Sequence, residues 1–463
     1  MGERIWLKNY AEGVPAEVDV NAYPSISHLF QATVNRYRAL PAFTNMGTTI
    51  TYGELERMSR DFAGYLQKDL GMVKGERLAI MLPNVLQYPV VLFGAFLAGL
   101  TVVNVNPLYT ARELEHQLSD SGTRSIVVLE NFAHTVQEVM DKCALQSVIT
   151  TKLGDLLSPP MSYITNFVLK YIKHMVPEWT ISQAIAFADV LSKSRSQDLD
   201  DVALTPEDIA FLQYTGGTTG VPKGAMLSHG NIVAVLQQGT AWFRAVVKDG
   251  EEIAVTPLPV YHIYALVMNL LGNLNFGGHN ILITNPRDMH GFIKELKKSK
   301  FTSISGVNTL YNALLNEPTF KEVDVSHVKI PGAGGAAVQR AVAEHMPSSS
   351  CRRSLVPHRG HHPSPTPKVG NLTGRDPPMS VKAAFAGQHR TQDGWMILVR
   401  LATDELEPPL PEFRIFVSDK AVRDLRAAAE GVALPDHTFA YIAAKITFNS
   451  FASGLLAASD HIA

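Results

Sequence analysis

Cysteine is almost missing from this chain: only Cys143 and Cys351 occur in 463 residues, far apart and without the close spacing of metal ligands. That excludes a disulfide framework and fits a reducing compartment, which points to the cytoplasm. An excess of charge of one sign is missing too. The formal net charge is −2, so nothing electrostatic suggests a nucleic acid as partner. The first residues, Met1 to Val14, carry charges but no apolar core and do not read as a signal peptide. Trp6 stands where an N-myristoylation site wants Ser or Thr. No clean membrane-crossing run occurs either. The uncharged stretch from Asn84 to Thr110 is interrupted by Pro89, Gly94, Gly99, Asn104, Asn106 and Pro107, and reads better as a buried helix followed by a buried strand.

What is present is an ordinary globular composition, 46% apolar, at a length that suggests two or three units. Strand and helix signals alternate. Thr51-Tyr-Gly-Glu54 is a capping box ahead of Leu55, Met58, Phe62 and Leu66 at helical spacing, and Thr110-Ala-Arg-Glu113 is a second, with Gly122 past the end of its helix. Arg77–Leu82, Thr101–Val105, Ser125–Leu129 and Val148–Thr151 read as buried strands between them. Further strands are expected at Ile209–Tyr214, Glu252–Thr256, Asn280–Ile283, Phe301–Ile304 and Val328–Gly335. This rhythm predicts an α/β fold of mostly parallel sheets flanked by helices, in which ligands sit at the carboxyl ends of strands.

The strand Ile209–Tyr214 runs into YTGGTTGVPKG, from Tyr214 to Gly224, after which Ser228-His-Gly-Asn231 opens a helix. Glycines let backbone N–H groups and threonine hydroxyls converge on a polyanion, and Lys223 adds a charge suited to a phosphate. It is not a Walker A loop, because Lys223 follows proline and Gly224 replaces the Ser or Thr.

Four stretches stand in order along the chain: NVNPLYTARELEHQLSDSG (Asn104–Gly122), the Gly/Thr loop, PLPVYHIYAL (Pro257–Leu266) and GAGGAAV (Gly332–Val338). Together they resemble the adenylate-forming (AMP-binding) enzymes, and among them the bacterial long-chain fatty acid–CoA ligases, from the first residues to about Met346. The resemblance implies ATP, Mg²⁺ and coenzyme A as cofactor and co-substrates, and a long-chain fatty acid as substrate. It places the β- and γ-phosphates against Tyr214, Thr215, Gly216, Gly217, Thr218, Thr219, Gly220, Lys223 and Gly224, with Thr215 beside Mg²⁺ and Lys223 in a catalytic position. His262 matches the position beside the carboxylate and acyl site. As a lone histidine among apolar residues it equally reads as a hydrogen-bonded core side chain. Gly334 and Gly335 match a strand end that passes adenine. Residues 264–268 with Val307 and Leu310 match an acyl pocket, although by composition they are ordinary core. An aryl-acid CoA ligase and a non-catalytic nucleotide- or acyl-binding remnant are the alternative readings.

In the segment 164–176, Ile164, Phe167, Tyr171 and Met175 share one helical face, with Lys170, Lys173 and His174 mostly off it. Either a helix packed on its own domain or a peripheral helix on the inner face of the cell membrane fits, and the packed helix is the expectation. Oligomeric state is not legible.

Beyond Met346 the text changes. Residues 1–346 read as an incomplete adenylate-forming N-terminal domain, 347–412 as a structureless segment that begins rich in Pro, Ser and Arg, and 413–463 as a small α/β or helical tail unrelated to the family. The cluster His358, His361 and His362 reads as an accident of that composition. A Gly-Tyr-Gly-Leu-Thr-Glu motif, a Thr-Gly-Asp motif and a C-terminal domain with its lysine, all implied by the resemblance, have no counterpart in 347–463, so impaired turnover is expected. A shift of reading frame near codon 346 accounts for so abrupt a change. Translation of the DNA in its other two frames is expected to show Gly-Tyr-Gly-Leu-Thr-Glu just downstream, and its absence from both frames removes the explanation.

Overall fold

Helix starts in this protein are set locally. Thr51 accepts from the Glu54 amide while the Glu54 carboxylate accepts from the Thr51 amide, and Thr110 with Glu113 repeats the arrangement. Gly122 ends the second of these helices at φ 62°, a left-handed conformation that suits a residue without Cβ. The computed structural model describes residues 7, 10, 12–194, 199–215, 222–334, 338, 339, 342 and 343, and the backbone of three further strands between 382 and 418.

In chain order the helices that organise the domain are α1 (Ile26–Tyr37), α2 (Tyr52–Lys68), α3 (Gln87–Leu97), α4 (Ala111–Ser121), α5 (Ala133–Val139), α6 (Met161–Phe167), α7 (Phe187–Ser194) and α8 (His229–Phe243). The strands are β1 (Pro41–Asn45), β2 (Thr48–Thr51), β3 (Arg77–Met81), β4 (Thr101–Asn104), β5 (Ser125–Leu129), β6 (Ser147–Thr151), β7 (Ile185–Ala186), β8 (Ile209–Thr215) and β9 (Lys223–Ser228). They continue with β10 (Ile253–Thr256), β11 (His279–Leu282), β12 (Ser303–Gly306) and β13 (Ile330–Ala333). Seven of them form one sheet in the order β7-β6-β5-β3-β4-β8-β9, parallel except for β9. Six form the other, β13-β12-β10-β11-β1-β2, parallel except for β2. The mostly parallel α/β fold is as the alternation predicts.

The uncharged stretch near residue 90 is α3, buried almost all round, followed by β4. Its Phe93 stacks on Phe30 of α1 with ring centroids 4.1 Å apart, and a Cβ at Gly94 would stand 2.7 Å from Phe62 of α2. These three helices close the largest core. Among the described residues no helix is long and apolar enough to cross a membrane.

The structure corrects the sequence reading in three places. After the Gly/Thr loop the chain does not pass straight to a helix. It returns as β9, antiparallel to β8, so Lys223 and Gly224 stand on a strand. The segment 164–176 is not one packed helix: α6 continues as a single π-helical turn over Val168–Ile172, and Ile164, Phe167, Tyr171 and Met175 are all exposed. Third, β14 (Lys382–Arg390) and β15 (Gly394–Ala402) run antiparallel inside the stretch read as structureless, with β16 (Glu412–Ser418) beside β15. Trp395–Leu401 supplies the apolar and β-branched residues that favour a strand. Pro347–Pro378 and the tail beyond Ser418 lie outside the described residues.

Two histidines link segments that are distant in sequence. His229 Nδ1 accepts from the Ile26 amide at 3.2 Å, and His279 Nε2 lies 2.7 Å from the Thr44 hydroxyl. Burial pushes both imidazoles down to about 4. The unfolded chain, with imidazoles near 6.5, binds these protons first, so the stabilisation is complete above that pH and is lost as pH falls toward 4. We expect the melting temperature to fall between pH 6.5 and 4, and His279→Gln to reduce that slope. An unchanged slope in the variant refutes the assignment.

Candidate functional site

The neck of the Gly/Thr loop is the last part of the β8–β9 ladder, where Tyr214 pairs with Gly224 and Thr215 with Lys223. Antiparallel partners project to the same side, so the exposed Thr215 hydroxyl and the exposed Lys223 ammonium share one face of the neck. Gly224 is required there: a Cβ would lie 2.9 Å from Cε2 of the Tyr214 ring. The Tyr214 hydroxyl donates to Asp120 Oδ2 of α4 at 2.5 Å. Burial, and next the Asp120 carboxylate, push the phenol well above its ordinary value. Gly216, Gly217, Thr218, Thr219 and Gly220 lie outside the described residues, as does Gly335.

The second element is the irregular segment that leaves β10. Pro257 and Pro259 bar it from a strand ladder, and its backbone groups are met by side chains from the other sheet. Asn84, just past β3, donates to the Thr256 and Leu258 carbonyls, both at 2.9 Å, and accepts from the Val260 amide at 2.9 Å. The Tyr88 hydroxyl of α3 lies 2.7 Å from Asn104 Oδ1 and 3.0 Å from the Val260 carbonyl, acceptors that share its one proton. Asn104 of β4 donates to Gln213 of β8 at 3.1 Å, and Gln213 donates onward to the Tyr261 carbonyl at 3.1 Å. The strand that carries the loop is thereby joined to the residue before His262.

His262 itself is half-buried and caps the short helix Ile263–Ala265, its Nδ1 accepting from the Tyr264 amide at 3.4 Å. Burial lowers its pKa, so the ring is neutral near pH 7. Beside it Tyr264 packs on the glycine strand end of β13. A Cβ at Gly334 would overlap the Tyr264 ring, and one at Gly332 would sit 3.5 Å from its hydroxyl. Burial pushes the Tyr264 phenol up to about 12, which keeps it a hydrogen-bond donor.

Behind Tyr264 a partly open cavity lies between α8, the helical segment through Asn275 and strands β10, β12 and β13. Val235, Leu236, Phe243, Val267 and Phe276 give it apolar walls, the lining that small-molecule sites favour. Tyr264, Val267 and Met268 line it as the resemblance implied, whereas Val307 and Leu310 do not. They pack with Leu258 and Ala265 in a separate small cluster behind Tyr264. At one wall Glu252, only 3% exposed, accepts from the Lys248 amide and pairs with Lys329 at 2.5 Å.

Of the sequence-predicted residues, the structure therefore joins Tyr214, Thr215, Lys223 and Gly224 at one neck. Through contacts it brings His262 and Gly334 to the same corner of the two sheets. Sequence reading missed Asn84, Tyr88, His116, Asp120 and Gln213. Only the four-residue spacing of His116 and Asp120 on α4 carried a readable signal, since the others are isolated polar residues in apolar strands and helices.

Nothing among the described residues groups three or more His, Cys, Asp or Glu side chains into a metal cage. The exposed Thr215 hydroxyl is a hard oxygen donor of the kind that Mg²⁺ accepts beside phosphate oxygens.

Comparison with known proteins gives the family and the fold. The family model of the AMP-binding enzymes matches residues 30–356. The long-chain-fatty-acid–CoA ligase of Escherichia coli O6:H1 is 52% identical over 342 residues, covering 74% of this chain and 61% of the relative. That of Salmonella typhimurium is 50% identical with the same coverage. The chain thus spans about 61% of the length of these relatives. Among solved structures, a long-chain-fatty-acid–CoA ligase from Archaeoglobus fulgidus superposes with a TM-score of 0.59 at 22% identity, over 73% of this chain and 62% of that one. An anthranilate CoA ligase in complex with anthranoyl-AMP gives 0.63 at 16% identity, over 83% and 71%. These two show the fold alone. With the family model matched over well more than half its length, the chain belongs to the AMP-binding enzymes.

Proposed function

We propose that this chain carries the activation site for a long-chain fatty acid. A carboxylate oxygen attacks the α-phosphorus of ATP, the bond to the bridging oxygen breaks, and pyrophosphate leaves. The thiol of coenzyme A then attacks the acyl carbon and displaces AMP. The observation that supports this most is the meeting of a cationic hydroxyl-bearing neck, a glycine strand end and an apolar cavity at one corner of two sheets.

The division of labour follows from the chemistry of each part. Positioning and electrostatics carry most of a phosphoryl-centred displacement. Lys223 and Thr215, with the amides and hydroxyls of residues 216–220, suit the β- and γ-phosphates. Mg²⁺, when bound with ATP, adds charge neutralisation on the leaving pyrophosphate. The strand end at Gly334 and Gly335 is the stretch proposed to pass the adenine base, as the resemblance implies. His262, neutral, and Tyr264, protonated, offer polar groups beside a carboxylate, and the cavity behind them excludes water from an alkyl chain. The Gly-Tyr-Gly-Leu-Thr-Glu and Thr-Gly-Asp motifs, which have no counterpart in residues 347–463, would supply further stabilisers, each worth roughly 10²–10³ in rate, so turnover is proposed to be weak. In a pyrophosphate-exchange assay with palmitate, exchange far below that of a full-length relative is expected, alongside saturable MgATP binding by calorimetry. Full rates would refute the impairment, and no ATP binding would refute the site.

The same reading extends to a membrane surface, the place where long-chain fatty acids collect. Half of the exposed large hydrophobics among the described residues fall in 161–175: Met161, Tyr163, Ile164, Phe167, Tyr171, Ile172 and Met175. Lys170, Lys173 and His174 are exposed beside them, and Lys170 sits over the Tyr171 ring at 5.7 Å. Apolar residues with a basic flank match an anionic bilayer, such as the inner face of the cell membrane seen from the cytoplasm. Co-sedimentation with phosphatidylglycerol-containing vesicles should be salt-sensitive and should fall at least ten-fold for Phe167→Glu with Ile172→Glu. Equal sedimentation of wild type and variant would sink this part.

A further inference from the structure

We infer that α4 is a positioning device for the nucleotide loop, with His116 and Asp120 holding one stem each. The inference rests on the reading of 215–223 as a triphosphate site. The two residues are four apart, hence one turn apart on the same face of the helix. Asp120 takes the Tyr214 hydroxyl of the outgoing stem at 2.5 Å. His116 Nε2 lies 3.0 Å from the Pro222 carbonyl of the returning stem. A carbonyl only accepts, so the ring N–H donates, as it can in the neutral Nε2–H tautomer and in the cation alike.

The stems need such partners. The β8–β9 ladder ends at the Thr215–Lys223 pair, and Pro222 just beyond it has no N–H with which to extend the pairing. Its carbonyl is held from outside the hairpin by His116. The phenol of Tyr214 keeps its proton because burial and the Asp120 carboxylate both favour the neutral form, so the short bond to a carboxylate is maintained.

The helix that makes both contacts is itself rigidly placed. It has a capping box at its start and a left-handed glycine after its end, and Leu114, Gln117, Leu118 and Ser121 are buried. Gln117 donates to the Asn104 carbonyl at 2.8 Å, and Asn104 is the residue that passes the contact on through Gln213 to Tyr261. One helix therefore braces the loop neck and, through Asn104, the segment before His262. A ligand whose phosphates reach over the neck depends on this brace. A monophosphate held only at the strand ends does not.

Calorimetry on the full chain with two probes, MgATP and AMP, tests the inference. His116→Phe and Asp120→Ala are each expected to raise the Kd for MgATP about ten-fold, the size of one lost hydrogen bond, with the Kd for AMP changed less than two-fold. His116→Gln, whose side-chain amide can donate to the same carbonyl, should restore most of the MgATP affinity. An unchanged Kd for MgATP, or equal weakening of both nucleotides, overturns the inference. If the wild-type chain binds neither nucleotide, the proposed function fails, and the brace is read instead by hydrogen exchange. Exchange at the amides of Thr215, Lys223 and Gly224 at least ten-fold faster in His116→Phe than in wild type supports it, and equal exchange overturns it.

Discussion

The structure depends on how the backbone between Thr256 and His262 finds hydrogen-bond partners. Two prolines take this segment off the sheet that β10 belongs to, yet it runs through the interior where water cannot serve it. A buried amide left unpaired costs about 1–3 kcal/mol. Asn84, Tyr88 and Gln213 meet these groups from the opposite sheet. Each contact is ordinary. Together they form a connected polar network at low dielectric, where satisfied members reinforce one another. The consequence is mechanical: the strand that carries the nucleotide loop and the segment that carries His262 are bonded to the same side chains and keep their spacing.

That constraint separates two environments across a short distance. On one side the hairpin neck is exposed and presents Lys223 and Thr215, groups that favour a polyanion. On the other, beyond Tyr264, the walls are apolar. Tyr264 stands between them and can do so only because Gly334 has no side chain to contest the space. On the function proposed above, a carboxylic acid with a long alkyl tail would turn its head to the polar side and its tail to the cavity. The buried Glu252 shows that the cavity wall is not uniformly apolar, and its pair with the partly exposed Lys329 ties β10 to the start of β13.

Much of this was legible in the sequence. The capping boxes at Thr51 and Thr110, the left-handed Gly122 and the buried strands appear where local rules put them, because caps and apolar runs act over a few residues. The place of the Gly/Thr stretch at the end of β8 was legible from its order of residues. The polar network was not, because its members are separated by up to 176 positions in sequence. Strand β9 was also hidden: Lys223–Ser228 has weak strand character of its own, and its pairing with β8 decides its conformation. The face of 164–176 was visible as a pattern, but periodicity does not say whether an apolar face meets a core or solvent.

By itself, then, the chain's sequence determined the parallel α/β architecture, the family to which it belongs and the residue types that a phosphate loop requires. These rest on short-range propensity and on the order of recognisable segments. Tertiary structure alone decided which side chains brace the loop, that Val307 and Leu310 stand apart from the cavity, and that Ile164, Phe167, Tyr171 and Met175 face outward. Those outcomes depend on contacts between distant segments, and packing geometry, not composition, selects among the partners that many buried polar and apolar residues could equally have had.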